Sequence, residues 1–407
     1  MNLGLRLLAT NVLILFLLPL TPFVFAPLLH ANYISSSVTL WLVYFTLCLL
    51  SLCVAINQST CYGVAGTFGP EFMCYLETGK GWAGLGIIGL RMLLKYTFAH
   101  SAYAAKDPEA ALILSTKFFF LFGTLVVFLA VAASVVLFRM PWAAQRLEEY
   151  YSMPTTVSDQ TPVVSRTNSP NVSPRSTVYS PALSRPRNRS FPPKVKMTVA
   201  KRIAAPAVGV FLSFVVCIAC FPGIATSMHS NDGFDSWYPV LVVACYNTAD
   251  LVGKALPAVF MPFRGKRVLF LVVLQALVLP LMILEKVYDA KQHTVARSSV
   301  PGIGFFGNDY TKLATVTLLG ILTGYAATCC LMVAPAMVKS KFKETAAQMM
   351  SLCLIAGLFV GSVVGVVISE SLGLSNQGAG ASVPFLHFDS HDSDGPHHPL
   401  LNEIHHF

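Results

Sequence analysis

Long apolar segments, separated by short polar connections, dominate the hydrophobic pattern of this chain. A bilayer core needs about 20 apolar residues in a helix, at about 1.5 Å of rise each. The segments do not alternate apolar and polar positions as the strands of a closed barrel do, so they predict membrane-spanning helices. Nine such spans can be drawn, at Leu3–Leu29, Ser36–Gln58, Gly81–Phe98, Ala111–Phe138, Val199–Ser227, Trp237–Met261, Arg267–Leu284, Lys312–Val338 and Thr345–Ser371.

The nine predicted spans fall into a group of four and a group of five. Ser, Thr and Pro crowd the stretch from Ser152 to Pro193, which holds too few apolar residues to fold and predicts disorder. The sequence therefore predicts an all-α polytopic membrane bundle, divided into an N-terminal helix bundle at 1–140, a disordered loop at 141–198, a C-terminal helix bundle at 199–373 and a disordered His-rich tail at 374–407.

The composition agrees with a membrane protein, since 55% of the 407 residues are hydrophobic and only 12% are charged. The net charge of +9 does not indicate a nucleic-acid partner, because the basic residues cluster in loops beside the apolar segments. Such clusters mark cytoplasmic loops. They predict a cytoplasmic amino terminus and an external carboxyl terminus.

No enzyme motif is found in the sequence. There is no Gly-rich phosphate loop with a lysine and no Ser/His/Asp set with a nucleophile elbow. The ten cysteines lie mostly within apolar segments and lack zinc-site spacing. We therefore expect neither an enzyme nor a bound metal or cofactor, although histidines of the tail leave metal binding open there.

The sixth span contains polar residues where apolar ones are expected. Asn247, Asp250 and Lys254 are spaced by three and four positions, so they share one helical stripe. A charge at mid-bilayer costs about 2.5–3.5 kcal/mol on insertion scales, so such groups face a bundle interior or a wet cavity. The stripe predicts the polar centre of a transporter. The alternative is an intrahelical Asp250–Lys254 pair that only neutralises itself.

A second candidate, Gln58, follows Asn57 in the second span. Its amide offers both a donor and an acceptor, as recognition of a nucleobase edge requires. Adjacent helical residues point about 100° apart, so Asn57 and Gln58 cannot both face one cavity. An interhelical hydrogen bond is the alternative role.

The run from Tyr246 to Lys254 resembles the FNxxDxxGR signature in the eighth transmembrane helix of the equilibrative nucleoside transporter family. Other elements of the family are matched by Phe221-Pro222-Gly223 (FP), Gly324-Tyr325 (NGY, with Thr323 in place of Asn), Glu344-Thr345-Ala346 (ExA) and the stretch from Gln58 to Gly84.

The resemblance implies a major-facilitator-like bundle on an eleven-helix plan. It also implies transport of nucleosides or nucleobases by alternating access, either equilibrative or proton-linked. Asp250 and Lys254 would bind ribose hydroxyls or hold the pocket, and Gln58 would contact the base. Asn247 would be a polar neighbour, and Leu358 would wall the cavity from the last helix.

Two departures from the family pattern matter. Lysine stands at position 254 where the family usually has arginine, so the planar fork for two parallel hydrogen bonds is lost. The chain also starts where the family's third helix would. It is then either an incomplete chain, which we favour, or a shortened relative.

Other readings of the sequence stay open. One is a major-facilitator-type carrier of another small solute. Another is a non-transporting membrane scaffold acting through the 152–193 loop, where Ser169, Ser173 and Ser180 precede proline and make kinases candidate partners. The plasma membrane is the expected location, with an intracellular membrane as the alternative.

Overall fold

The computed structural model describes residues 3–30, 35–99, 108–153, 191–230, 234, 237–262, 265–294 and 306–371, and all secondary-structure elements within these ranges are helical. The prediction of an all-α fold is confirmed. The α-helices are α1 (Leu3–Leu17), α2 (Ala26–His30), α3 (Ser36–Phe68), α4 (Pro70–Ala99), α5 (Pro108–Arg139), α6 (Pro141–Ser152), α7 (Pro193–Arg202), α8 (Ala204–Cys220), α9 (Gly223–Thr226), α10 (Tyr238–Ala255), α11 (Val268–Ala276), α12 (Val278–Thr294), α13 (Asp309–Ala336) and α14 (Lys343–Ser371).

Each of the nine predicted spans overlaps one or more of these helices. Seven stretches of the described chain are both long and apolar enough to cross a membrane. Helices α4 and α10 are not among them, because α4 carries several charged residues and the polar stripe lowers the hydropathy of α10. The protein is a multi-pass membrane protein, and the exact number of nine spans stays a prediction.

The connection between α3 and α4 is much shorter than the sequence suggested. The second predicted span ends at Gln58, yet α3 continues to Phe68, and α4 begins at Pro70 rather than at Gly81. Gly69 makes the turn with φ 138°, a backbone conformation that favours glycine. The intervening polar residues were excluded from the predicted spans because hydropathy cannot show that they bond to one another inside the bundle.

The edges of the predicted disordered loop are helical, which corrects the boundaries 141–198. Helix α6 occupies 141–152 and buries Ala143 and Tyr150, while α7 extends from 193 to 202. The Tyr150 hydroxyl donates to the Lys341 carbonyl at 3.0 Å. Packing of this kind orders segments that hydropathy alone assigns to a loop. The rest of that loop, at 154–190, and the His-rich tail lie outside the described residues.

Helix α10 packs against α13 in the largest helix contact of the described bundle, and glycines bring the two backbones together. A Cβ placed on Gly253 would lie 2.4 Å from the Ile321 carbonyl oxygen. One placed on Gly324 would lie 2.4 Å from the Asp250 carbonyl oxygen. Because glycine alone permits such approach, α13 fixes the position of the polar stripe on α10.

The larger of the two apolar cores joins helices from both ends of the chain. It includes Tyr62 of α3, Met73 of α4, Tyr325 of α13 and Leu354 of α14, all buried. Of these helices, α3, α4 and α13 also contribute polar residues described below, and α4 and α13 pack against α10, which carries the polar stripe. Burial of apolar area therefore holds the candidate site in place.

A buried ion cluster, which we name the Lys312 cluster, joins the end of α12 to the start of α13. It comprises Lys286, Asp289, Asp309 and Lys312, whose residues are at most 2% exposed. The Lys312 ammonium lies 2.8 Å from an Asp289 carboxylate oxygen and 3.5 Å from one of Asp309. Two lysines and two aspartates balance in charge, so we assign the cluster a structural role.

We predict that the Gly253→Ala substitution destabilises the protein by about 1–3 kcal/mol, because the new methyl group would meet a backbone carbonyl that cannot move aside. Reversible unfolding of the purified protein in mixed micelles measures the change. Gly86→Ala is the control, since no atom lies within 4 Å of a Cβ there. Equal stability of the two variants would contradict the close α10–α13 contact.

We also predict that Lys312→Met lowers the free energy of unfolding by about 3–5 kcal/mol, because it removes the cation shared by Asp289 and Asp309 and leaves buried carboxylates undercompensated. The exposed Lys339, on the connection before α14, provides the matched control Lys339→Met. The same unfolding assay applies. A loss no larger than that of the control would show that the cluster does not stabilise the fold.

Candidate functional site

The site is built on Asp250 and Lys254 of α10. The Lys254 ammonium donates to an Asp250 carboxylate oxygen at 2.5 Å, one helical turn away. The Asp250 side chain is 9% exposed and the Lys254 side chain is 12% exposed. The pair therefore faces the interior of the bundle and not its lipid-facing surface.

Asn247 lies one turn before Asp250 and faces α4. Its amide nitrogen donates to the Val243 carbonyl at 2.8 Å. Its amide oxygen lies where a Cβ on Gly84 would come within 2.4 Å. The structure thus places Asn247 at the contact of α10 with α4, on the same helix as the ion pair.

A second ion pair lies on α4, and the sequence analysis did not identify it. Glu77 is fully buried, and one of its carboxylate oxygens accepts hydrogen bonds from the Tyr62 hydroxyl of α3 and, at 3.1 Å, from the Lys80 ammonium. Lys80 also lies 2.5 Å from the Tyr62 hydroxyl. Glu77 and Lys80 are three residues apart, a spacing that places them on one face of a helix. The pair was missed because the third predicted span began after both residues.

The two ion pairs meet where α4 crosses the end of α10. The Lys254 carbonyl accepts a hydrogen bond from the Thr78 hydroxyl at 3.3 Å and a weaker one from the Cys74 thiol at 3.5 Å. Lys254 also attracts Glu77 electrostatically, and Glu77 in turn repels Asp250. The four side chains form one charge-balanced group, which we name the four-charge site: Glu77, Lys80, Asp250 and Lys254.

Gln58 and Asn57 face different neighbours on α3. The Asn57 amide bonds to Asn11 at 2.9 Å and accepts from Thr10 at 3.2 Å, so it ties α3 to α1. Gln58 is half-buried, lies one turn from Tyr62, and makes no side-chain hydrogen bond to any residue that the structure describes. The structure does not join Gln58 to the Asp250–Lys254 pair by a hydrogen bond, but it places Gln58 on the stripe of α3 that reaches the four-charge site.

Leu358 lies on α14 and is half-buried. It packs against the larger apolar core, to which Tyr62 and Leu354 belong. Its role as an apolar wall of the cavity stays a prediction. No polar group of the site bonds to it within the described residues.

Thr323 of α13 belongs to a buried hydrogen-bond network beside the polar stripe. Its hydroxyl accepts a hydrogen bond from the Gln275 amide at 2.9 Å, and the Gln275 carbonyl accepts from the Ser213 hydroxyl at 2.6 Å. All three residues are buried. Thr323 replaces the asparagine of the NGY element, and this network gives its hydroxyl a hydrogen-bond partner. The same network links α13 to α11 and α8.

Phe221 and Tyr246 form an aromatic support for the first turn of the polar stripe. Their rings stack at 4.0 Å between centroids and 12° between planes. The Tyr246 hydroxyl lies 2.8 Å from the Cys217 sulfur. The FP element thus holds the helix that carries the stripe.

The chemistry of this arrangement is hydrogen bonding and charge, without a catalytic set. Carboxylates accept from hydroxyls and ammonium groups donate to them. Among the described residues, no group of three or more His, Cys, Asp or Glu side chains could hold a metal ion. The site is suited to a polar solute of no net charge.

The chain matches known transporters. The model of the Nucleoside transporter family matches residues 44–370. Equilibrative nucleoside transporter 1 of Mus musculus is 25% identical over 340 residues, which cover 79% of this chain and 69% of that protein. Equilibrative nucleotide transporter 1 of Arabidopsis thaliana is 28% identical over 166 residues, covering 41% of this chain and 34% of that protein.

The matched part is a fraction of each relative. The chain spans about a third of the Arabidopsis protein and about two thirds of the mouse protein. The family model, by contrast, covers most of this chain, from the second predicted span to the last. The resemblance seen in the polar stripe is confirmed, and the chain belongs to the nucleoside transporter family.

Proposed function

We propose that this protein carries nucleosides or nucleobases across a membrane by alternating access, by an equilibrative or proton-linked mechanism. The observation that supports the proposal most directly is the Asp250–Lys254 pair, buried between α4 and α13 in an apolar bundle. Ions are costly inside a membrane protein and mark solute pathways there. The family is one of transporters, not enzymes.

Asp250 and Lys254 are the proposed ribose-binding residues. A carboxylate has two oxygens and can accept hydrogen bonds from two neighbouring hydroxyls, while an ammonium donates three. Hydrogen bonds to charged groups contribute about 1.5–3 kcal/mol each. A ribose diol can therefore be held between the two groups when the direct contact of 2.5 Å opens.

Gln58, Asn247 and Leu358 are the proposed supporting residues. Gln58 has an amide with no partner among the described residues, so it is the group that can read the edge of a base. Asn247 fixes the approach of α4 to α10. Leu358 supplies an apolar surface for the face of the base.

The charge balance of the site favours nucleosides over nucleotides. The Arabidopsis relative is named a nucleotide transporter and the mouse relative a nucleoside transporter. The four-charge site contains two acidic and two basic side chains, which leaves no excess positive charge for a phosphate. A neutral cargo fits this balance better than an anionic one.

The remaining expectations are part of the same proposal. Two helix bundles, at 1–140 and 199–373, would rock about the site during transport. The proposed location is the plasma membrane. Kinases are the proposed partners of the 152–193 loop. The alternatives of another small-solute carrier and of a non-transporting scaffold are not favoured by the family match.

We predict that Asp250→Asn and Lys254→Met each lower nucleoside uptake by about 10- to 150-fold, the effect of losing one charged hydrogen bond of about 1.5–3 kcal/mol. Uptake of labelled adenosine or uridine is measured in cells lacking their own carriers, with surface abundance quantified in parallel. Thr248→Ala is the control, because Thr248 lies on the same helix and is exposed. Uptake by both variants equal to that of Thr248→Ala would remove the pair from the mechanism.

We predict that Gln58→Leu raises the KM for nucleosides by about fivefold, as expected for one neutral hydrogen bond of about 1 kcal/mol. The effect is expected to be the same for a nucleoside and its free base, because the side chain reads the base and not the sugar. Competition assays with both ligands measure the ratio. Ser59→Ala on the same helix is the control, and an unchanged KM in Gln58→Leu would leave Gln58 with a packing role only.

A further inference from the structure

Glu77 is held in an unusual state, with one carboxylate oxygen occupied and the other unpaired. Its Oε1 accepts from Tyr62 and Lys80, while its Oε2 is buried and has no hydrogen-bond partner among the described residues. The residue is fully buried on the face of α4 that packs against α10. An acceptor left without a partner in such a place is destabilising, and more so when it is charged.

Lys254 lies between two carboxylates on different helices. It donates to Asp250 on its own helix at 2.5 Å, and it is drawn electrostatically toward Glu77 across the helix contact. The backbones are fixed to one another here, because Thr78, the residue after Glu77, donates to the Lys254 carbonyl. The ammonium is therefore the part of this arrangement that is free to move.

Lysine suits a change of partner better than arginine does. Its ammonium is a compact charge at the end of a flexible four-carbon stem, whereas a guanidinium is a rigid fork that holds its partners in a plane. The chain combines lysine at 254 with a carboxylate at 77 on the facing helix. Together they provide one mobile cation and two places for it.

We infer that Glu77 is the second partner of Lys254 and that the ammonium passes from Asp250 to Glu77 Oε2 when a substrate hydroxyl binds Asp250. The inference rests on the proposed function, because it concerns the same site. No covalent bond is made or broken in this step, and the net charge of the four-charge site does not change. Asp250 gains a hydroxyl donor, Lys254 keeps an anionic partner, and Lys80 and Tyr62 retain Oε1.

This exchange makes Glu77 a positioning residue. It does not contact the substrate, but it frees the carboxylate that does. Without a negative charge at 77, Lys254 stays on Asp250, and the substrate must compete with a salt bridge of 2.5 Å. The effect therefore appears in the KM for substrate and depends on the presence of Lys254.

A double-mutant cycle tests the inference. The full chain is expressed with Glu77→Gln, Lys254→Met or both, and the KM for labelled nucleoside uptake is measured. Where uptake by a Lys254→Met variant is too slow, the nucleoside concentration that half-saturates the shift in Tm of the purified protein replaces it. Glu71→Gln is the control, since Glu71 lies on the same helix and is exposed.

The expected result is a rise in KM of about tenfold for Glu77→Gln in the Lys254 background, equivalent to about 1.4 kcal/mol. In the Lys254→Met background the same substitution is expected to change the value by less than about twofold, because the cation that it positions is gone. Glu71→Gln is expected to leave the KM unchanged. Glu77→Asp, which keeps the charge, is expected to restore most of the affinity. Glu77→Met, which also removes the charge, replaces Glu77→Gln in the cycle if that variant does not fold.

An equal rise in KM in both backgrounds would overturn the inference, because it would assign Glu77 a role independent of Lys254. A fall in Tm and abundance with unchanged KM would overturn it as well, in favour of a structural role. These outcomes leave the proposed function standing if the wild type transports nucleosides. If the wild type shows neither uptake nor ligand-induced stabilisation, the proposed function is wrong, and this inference is wrong with it.

Discussion

Pairing of buried charge is the constraint on which this bundle depends. An isolated ion in a medium of low dielectric constant is expensive, and removing one partner of a buried pair costs more than the pair contributes. Lys254 is accordingly paired with Asp250, Lys80 with Glu77, and Lys312 with Asp289 and Asp309. The Lys312–Asp289 pair joins α13 to α12, and the Tyr62 hydroxyl of α3 bonds to Glu77 of α4, so these buried charges fix the register of helices that apolar packing brings together.

The two kinds of buried charge differ in what surrounds them. In the Lys312 cluster, Lys312 also donates to the His229 carbonyl and Lys286 to the Ser227 carbonyl, so each ammonium is held by backbone as well as by carboxylate. In the four-charge site, Asp250 is the only partner of the Lys254 ammonium among the described residues, and Glu77 keeps one oxygen that is unpaired there. A fully satisfied network rigidifies a fold. A partly satisfied one can respond to a ligand.

The sequence predicted the parts of the structure that depend on local periodicity. Asn247, Asp250 and Lys254 could be placed on one stripe because α-helical geometry alone relates positions three and four apart. The same geometry predicted that Asn57 and Gln58 face different neighbours, and the structure shows Asn57 hydrogen-bonded to Asn11 of α1. Glu77 and Lys80 were missed because segments were delimited by hydropathy, which treats a charge as the end of a span. The Lys312 cluster was missed because its members come from two helices that are separate in sequence, and only tertiary packing brings them together.

The hydrogen bonds that the Lys254 carbonyl accepts from α4 bear on how the protein could move. This carbonyl belongs to the last turn of α10, where helical acceptors run out of partners within their own helix. Thr78 and Cys74 supply the missing donors. Sliding α4 along α10 would leave the Lys254 carbonyl without these hydrogen-bond donors in an apolar environment. Tilting the two helices about this contact would keep the hydrogen bonds. In the proposed alternating access, this contact would serve as a pivot. Rocking about it would cost less than shear, and the ends of the helices farthest from it would travel the greatest distance.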